Sequence, residues 1–167
     1  MKKIMFLAVM CVMTLVINAA PKLTQGNLDC LNGQEEFTVS LDLNKTVYNK
    51  NQTVDDFLKR YYRVRSWKEA SIDAFVKEFN EKAKYNGIRA TSKEGCKYEM
   101  QVVPGKLTKG GCFKDVTVNI IDTTSGETKA VMMLDSYDGD NDDEVPFEDT
   151  MDDLGEQLYK FMAPQVR

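Results

Sequence analysis

The chain contains no histidine. That absence excludes the Ser–His–Asp and Cys–His pairings of nucleophile and base, and every metal site built on imidazole. Its four cysteines include no C-x-x-C pair and no zinc-type spacing. One long apolar run is present, Ile4 to Ile17, interrupted by Thr14. It is short against the roughly 20 residues that a membrane-spanning helix needs. No internal repeat, long linker or second domain is apparent in the 167 residues. Chemistry is therefore left mainly to carboxylates, amides and hydroxyls.

What is present begins with a compartment signal. Lys2 and Lys3 precede the apolar run and the small residues Ala19 and Ala20 follow it, the order of a secretory signal peptide. Cleavage after Ala19 is expected, since a cut after Ala20 would place Pro21 next to it. Met10 precedes Cys11 where a lipidated cysteine needs a small residue, so no lipid anchor is expected. The expected product is residues 20–167, one α+β domain, periplasmic or secreted, with no stable membrane insertion after cleavage.

Removing Lys2 and Lys3 takes the net charge from −4 to −6. The acidic balance argues against nucleic acid as a partner. Three cysteines then remain, Cys30, Cys96 and Cys112, enough for one intramolecular disulfide. Cys96 and Cys112 begin consecutive antiparallel strands, so they fall at opposite ends of a hairpin and make a poor pair. Cys30 with either partner stays open.

Along the chain, Asn32-Gly33 separates Leu28–Leu31 from an alternating segment and predicts a two-residue hairpin. In that segment Phe37, Val39, Leu41 and Leu43 share one face, and Thr38, Ser40 and Asp42 the other. Thr53 and Asp56 open a short helix. Ser66 and Glu69 form a capping box for a longer one with the stripe Ile72, Phe75, Val76, Phe79 and Ala83, closed by Asn86-Gly87. A short strand is predicted at residues 88–91. Tyr98, Met100 and Val102 alternate with Glu99 and Gln101, and Pro104–Gly111 reads as a loop. Val116, Val118 and Ile120 alternate with Asp115, Thr117 and Asn119, a tight turn follows at Asp122–Gly126, and a strand returns over 128–134. A last helix carries the stripe Phe147, Met151, Leu154, Leu158 and Phe161. The expected fold is one mainly antiparallel sheet with two main helices packed on one face.

The segments from Ser66 to Ile88, Cys96 to Pro104, Val116 to Thr128 and Phe147 to Met162 resemble small secreted proteins of Gram-negative anaerobes. More distantly, they resemble the envelope α/β domain of the TolB N-terminal domain, the curli-export lipoprotein CsgG and the penicillin-binding-protein activator LpoB. The marks are Phe75 and Phe79 with Asn80, Gly87-Ile88, and Ile121-Asp122 through Gly126-Glu127. The resemblance implies a non-enzymatic envelope module. The chain departs from the lipoprotein members in lacking an acceptable lipidation cysteine.

Four features invite a function. Residues 135–156 hold eleven acids and no base. Asp138, Asp140 and Asp142 sit at positions 1, 3 and 5 of a calcium loop ending at Asp149, but position 6 is Asp143 where glycine is required and position 12 lacks the usual Glu. The simpler reading is a solvated helix start, its acids facing the positive N-terminal dipole with Pro146 at the first helical position. Lys59–Lys68 interleaves bases with aromatics, which reads as a helix connection whose lysine and arginine stems cover inward-packed rings. Asn44 and Asn51 head glycosylation sequons, and Thr123 in the Asp122 turn is the better of two O-glycosylation candidates, Thr150 being the other. The fourth feature is the wet strand face: Thr38, Ser40, Asp42, Gln101, Thr117 and Asn119 are the candidate binding residues. The leading expectation is an interaction module that binds an envelope protein or a glycan, with no cofactor and no catalysis. Its alternatives are a calcium-dependent binder using the 138–149 loop and a small glycan hydrolase.

Overall fold

Alternation decides which strand residues enter the core. A computed structural model of the chain describes residues 20–48, 52–61, 66–84, 87–108, 110–136 and 146–166. Its strands are β1 (Lys22–Gly26), β2 (Glu36–Leu41), β3 (Arg89–Thr91), β4 (Tyr98–Leu107), β5 (Phe113–Asp122) and β6 (Thr128–Ser136). Its helices are α1 (Val54–Tyr61), α2 (Trp67–Lys82) and α3 (Pro146–Met162). The fold is α+β. None of the described helices is long and apolar enough to cross a membrane.

The six strands form one sheet in the order β1-β6-β5-β4-β2-β3. The expectation of a mainly antiparallel sheet is corrected: the sheet is mixed. β1, β6, β5 and β4 pair antiparallel, whereas β2 runs parallel to both β3 and β4. The cause is the connection. α1 and α2 intervene between β2 and β3, and a helical crossover returns the chain in the same direction. Residues 92–97 then cross over β2 and deliver β4 on its other side.

Four local expectations also change. Residues Asp29–Leu31 form a 3-10 turn, so Asn32-Gly33 closes a turn rather than a hairpin. Gly33 does take the left-handed conformation, at φ 70°. Ser66 caps α2 by position, but its side chain makes no capping bond. α2 ends at Lys82, ahead of Gly87, which turns the chain into β3 at φ 85°. β4 continues through Pro104 to Leu107. Proline is tolerated there because that side of its backbone faces the 42–47 segment rather than β5. The Pro104 carbonyl accepts the Thr46 hydroxyl at 2.7 Å, and Val47 bonds Gly105 and Leu107 through its main chain.

The core collects Phe37, Val39 and Leu41 from β2 and the alternating apolar residues of β4, β5 and β6. Phe57, Phe75, Phe79, Phe147, Leu154 and Leu158 join it from the helices. Asn80 fixes α2 to β3 with both ends of its amide: Nδ2 donates to the Ala90 carbonyl and Oδ1 accepts the Ala90 N–H, at 2.8 and 2.9 Å. The register Tyr98↔Asp122 and Leu107↔Phe113 puts Cys96 and Cys112 at opposite ends of the β4–β5 hairpin. Cys30 and Cys96, both half-buried, carry free thiols, and Cys112 is buried.

The α2–α3 contact carries surplus negative charge. Burial raises the carboxyl of Asp152 above its ordinary range, and Glu78, Glu81 and Glu156 raise it further, against Lys77. Burial raises Asp153 similarly, with Glu156 and Glu78 adding to it. Both groups therefore bind protons more readily folded than unfolded. Their ionisation opposes folding fully above the raised native pKa, and the penalty disappears below the unfolded value. Asp152→Asn is expected to raise the melting midpoint by about 1–3 °C near pH 7, with the gain vanishing near pH 3. A thermal melt series against pH checks this, and an equal gain at both ends would refute it.

Candidate functional site

The strand register assembles the candidate face row by row. Ser40, Gln101, Asn119, Val131 and Gln25 stand side by side across β2, β4, β5, β6 and β1. The adjacent row holds Val103, Thr117, Met133 and Lys22. Their neighbours along β2, β4, β5 and β6 are buried, so this is the outer face of the sheet. Asn119 donates from Nδ2 to Gln101 Oε1 at 3.2 Å, which fixes both amides as a pair. Ser40 donates its hydroxyl to the Glu99 carboxylate.

Four of the six residues expected on this face, Ser40, Gln101, Thr117 and Asn119, are half-buried members of the two central rows. Thr38 is not a wet residue: it is 8% exposed. The crossing segment 92–97 covers it, and its hydroxyl donates to the Lys93 carbonyl at 2.8 Å. Asp42 belongs to the margin. It lies one residue past β2, and its Oδ1 accepts the Asn44 N–H at 2.9 Å in a local turn.

Sequence reasoning missed the apolar share of this face. Val103, Ile121 and Val131 are half-buried there, and Met133 is 40% exposed. The signal was available, because Val103 has the parity of Gln101, and Val131 and Met133 alternate with Ala130, Met132 and Leu134. Outward-facing apolar residues were passed over because hydrophobicity alone assigns them inward.

The remaining candidates separate. Asp138, Asp140 and Asp142 lie outside the described residues, as do Asn51 and the middle of Lys59–Lys68. Asp149 stands in the first turn of α3, half-buried. Thr123 is exposed, but its hydroxyl donates to the carbonyls of Cys96 and Lys97 at 2.9 and 3.1 Å. The turn beside it is held by Asp122, whose Oδ1 accepts the N–H groups of Thr124 and Ser125. The Ser125 bond leads in lowering the Asp122 pKa.

No family model and no curated protein matches the chain. Among solved structures it is similar to the dodecamer of a PelC variant from Paraburkholderia phytofirmans, with a TM-score of 0.42 and 10% identity over 89% of this chain and 98% of that one. A second PelC dodecamer from the same organism gives a TM-score of 0.41 and 9% identity over 83% of this chain and 97% of that one.

Proposed function

We propose that the chain is a non-enzymatic interaction module of the cell envelope, secreted or periplasmic, that binds a protein or glycan partner through the outer face of its sheet. The observation that carries this reading is the juxtaposition of the hydrogen-bonded Gln101–Asn119 pair with the exposed Met133. Ordered amides offer donors and acceptors with little entropy left to lose, and the neighbouring apolar atoms supply contact area. In this reading α2 and α3 both lie over the opposite face, which leaves the outer one for a partner. The resemblance to envelope α/β domains and the signal-like N-terminus supply the compartment. The face needs no cofactor, metal or nucleic acid.

Affinity capture from an envelope lysate tests the proposal. The wild-type chain and Lys84→Ala, altered at an exposed residue just past α2, are expected to retain the same partner. Asn119→Arg and Met133→Glu are expected to lose it. Retention by both face variants, with melting unchanged, would refute the assignment.

A further inference from the structure

β2 is paired with β3 over only the first half of its length. Its pairing with β3 stops at Thr38↔Thr91, while its pairing with β4 continues to Leu41↔Val102. β3 does not extend further, because the Lys93 N–H turns back to Thr91 Oγ1 at 3.2 Å. In a parallel ladder alternate residues direct their main-chain groups to one neighbour. The Asp42 N–H donates to the Val102 carbonyl, so the even residues of β2 face β4. The Glu35 carbonyl accepts the Arg89 N–H, so the odd residues face β3. The carbonyl of Val39 and both main-chain groups of Leu41 thus point past the end of β3, where no strand stands among the described residues.

Two clefts adjoin this edge and share Lys68. One, of about 570 Å³, is lined by Val39, Ser40, Glu69, Ile72 and Glu94 among others. The other, of about 500 Å³, is lined by Leu41, Leu43, Leu58 and Trp67 among others. Half-buried Ile72, Leu43, Leu58 and Trp67 give the clefts apolar walls. Among their described lining residues, Asp42, Asp55, Glu69, Glu94 and Glu99 stand against Lys68 alone. The opposite edge of the sheet differs. β1 is bulged between Leu23 and Gln25, and bulges discourage strand addition.

We propose that the β2 edge at Val39–Leu41 is a docking groove for an extended, lysine- or arginine-bearing segment of another protein, which adds to the sheet as a strand. Open main-chain donors and acceptors are the complement of an extended peptide, flanking apolar clefts take its alternate side chains, and the acidic lining selects its charge. This surface meets the outer face at Ser40 but does not include Gln101, Thr117, Asn119 or Met133.

The test titrates an alternating valine–lysine hexapeptide into the isotope-labelled full chain and follows amide shifts and hydrogen exchange. Shifts are expected at Val39–Leu41 and Ser92–Gly95, with slowed exchange at the Leu41 amide. N-methylation of alternate peptide bonds, or Glu69→Lys combined with Glu94→Lys, is expected to weaken binding about tenfold or more. An alternating valine–glutamate hexapeptide is expected not to bind, and Met133→Glu is expected to leave binding intact. The proposal fails if no hexapeptide binds, if binding ignores N-methylation and disappears with salt, or if the shifts map to the outer face. It also fails if the Leu41 amide is already protected in a dimer of the free chain.

Discussion

Gly155→Val is expected to cost several kcal/mol and leave much of the chain unfolded, because no side chain fits where α2 and α3 touch. A Cβ built on Gly155 would lie 2.7 Å from the Phe75 carbonyl oxygen and 3.2 Å from the Phe79 nitrogen. Both obstacles are backbone, so no rotamer change relieves them. Gly155→Ala separates the competing effects. Alanine favours a helix interior over glycine by about 1 kcal/mol, whereas overpacking a tight contact costs about 1–3 kcal/mol. The second is expected to win, giving a net loss for alanine and a larger one for valine, whose branches also meet α2. Against a total stability of about 5–15 kcal/mol, the valine loss is a large share. Lys160→Ala on the same helix is the control. Lys160 is exposed and pairs with Glu156, and surface pairs contribute about 0–1 kcal/mol. Denaturant unfolding of the four proteins decides the matter. Stabilisation by Gly155→Ala near the propensity difference would mean that the helices do not meet at this residue.

The close approach at Gly155 was not legible in the sequence, where a glycine inside an amphipathic stripe reads only as a weak helix former. The stripes themselves were legible. Phe75 and Phe79, and Met151, Leu154 and Leu158, recur at helical spacing and are all buried. Alternation likewise placed Val116, Val118 and Ile120 inward and Thr117 and Asn119 outward. What local pattern cannot encode is the partner of each strand. β1 pairs with β6 across more than a hundred residues, with Lys22 opposite Met133. Nor does alternation reveal that a connecting segment lies over one end of the outer face. Thr38 has the parity of Ser40, and only the crossing of 92–97 over β2 separates their fates. The Asn32-Gly33 signal was sound as turn chemistry. It misled as topology, because a left-handed glycine closes a 3-10 turn as readily as a hairpin.

The other large loss is expected for Phe79→Ala. Phe79 is fully buried where three elements meet. Its ring meets Phe37 of β2 edge-on at 5.3 Å, stacks against Phe75 of α2 at 5.9 Å, and meets Tyr159 of α3 edge-on at 5.5 Å. Truncating a buried phenylalanine costs about 3–5 kcal/mol in lost transfer energy and residual cavity. Aromatic pairs add about 0.5–1.5 kcal/mol beyond burial. The rings around Phe79 belong to separate elements, so collapse to refill the space would have to move a strand or a helix. The upper half of the range is therefore expected. Phe79→Leu retains most of the volume and is expected to cost about half as much. A local readout distinguishes this from general softening. Asn80, the next residue, holds the Ala90 N–H, so a shift of α2 into the cavity would disturb that bond first. In Phe79→Ala, exchange at the Ala90 amide is expected to accelerate more than at Val118 in the central strand β5. A loss below about 1 kcal/mol, far under the cost of a buried ring, would mean that Phe79 is not the junction of sheet and helices. Uniform acceleration across the sheet would mean that Asn80 does not anchor β3.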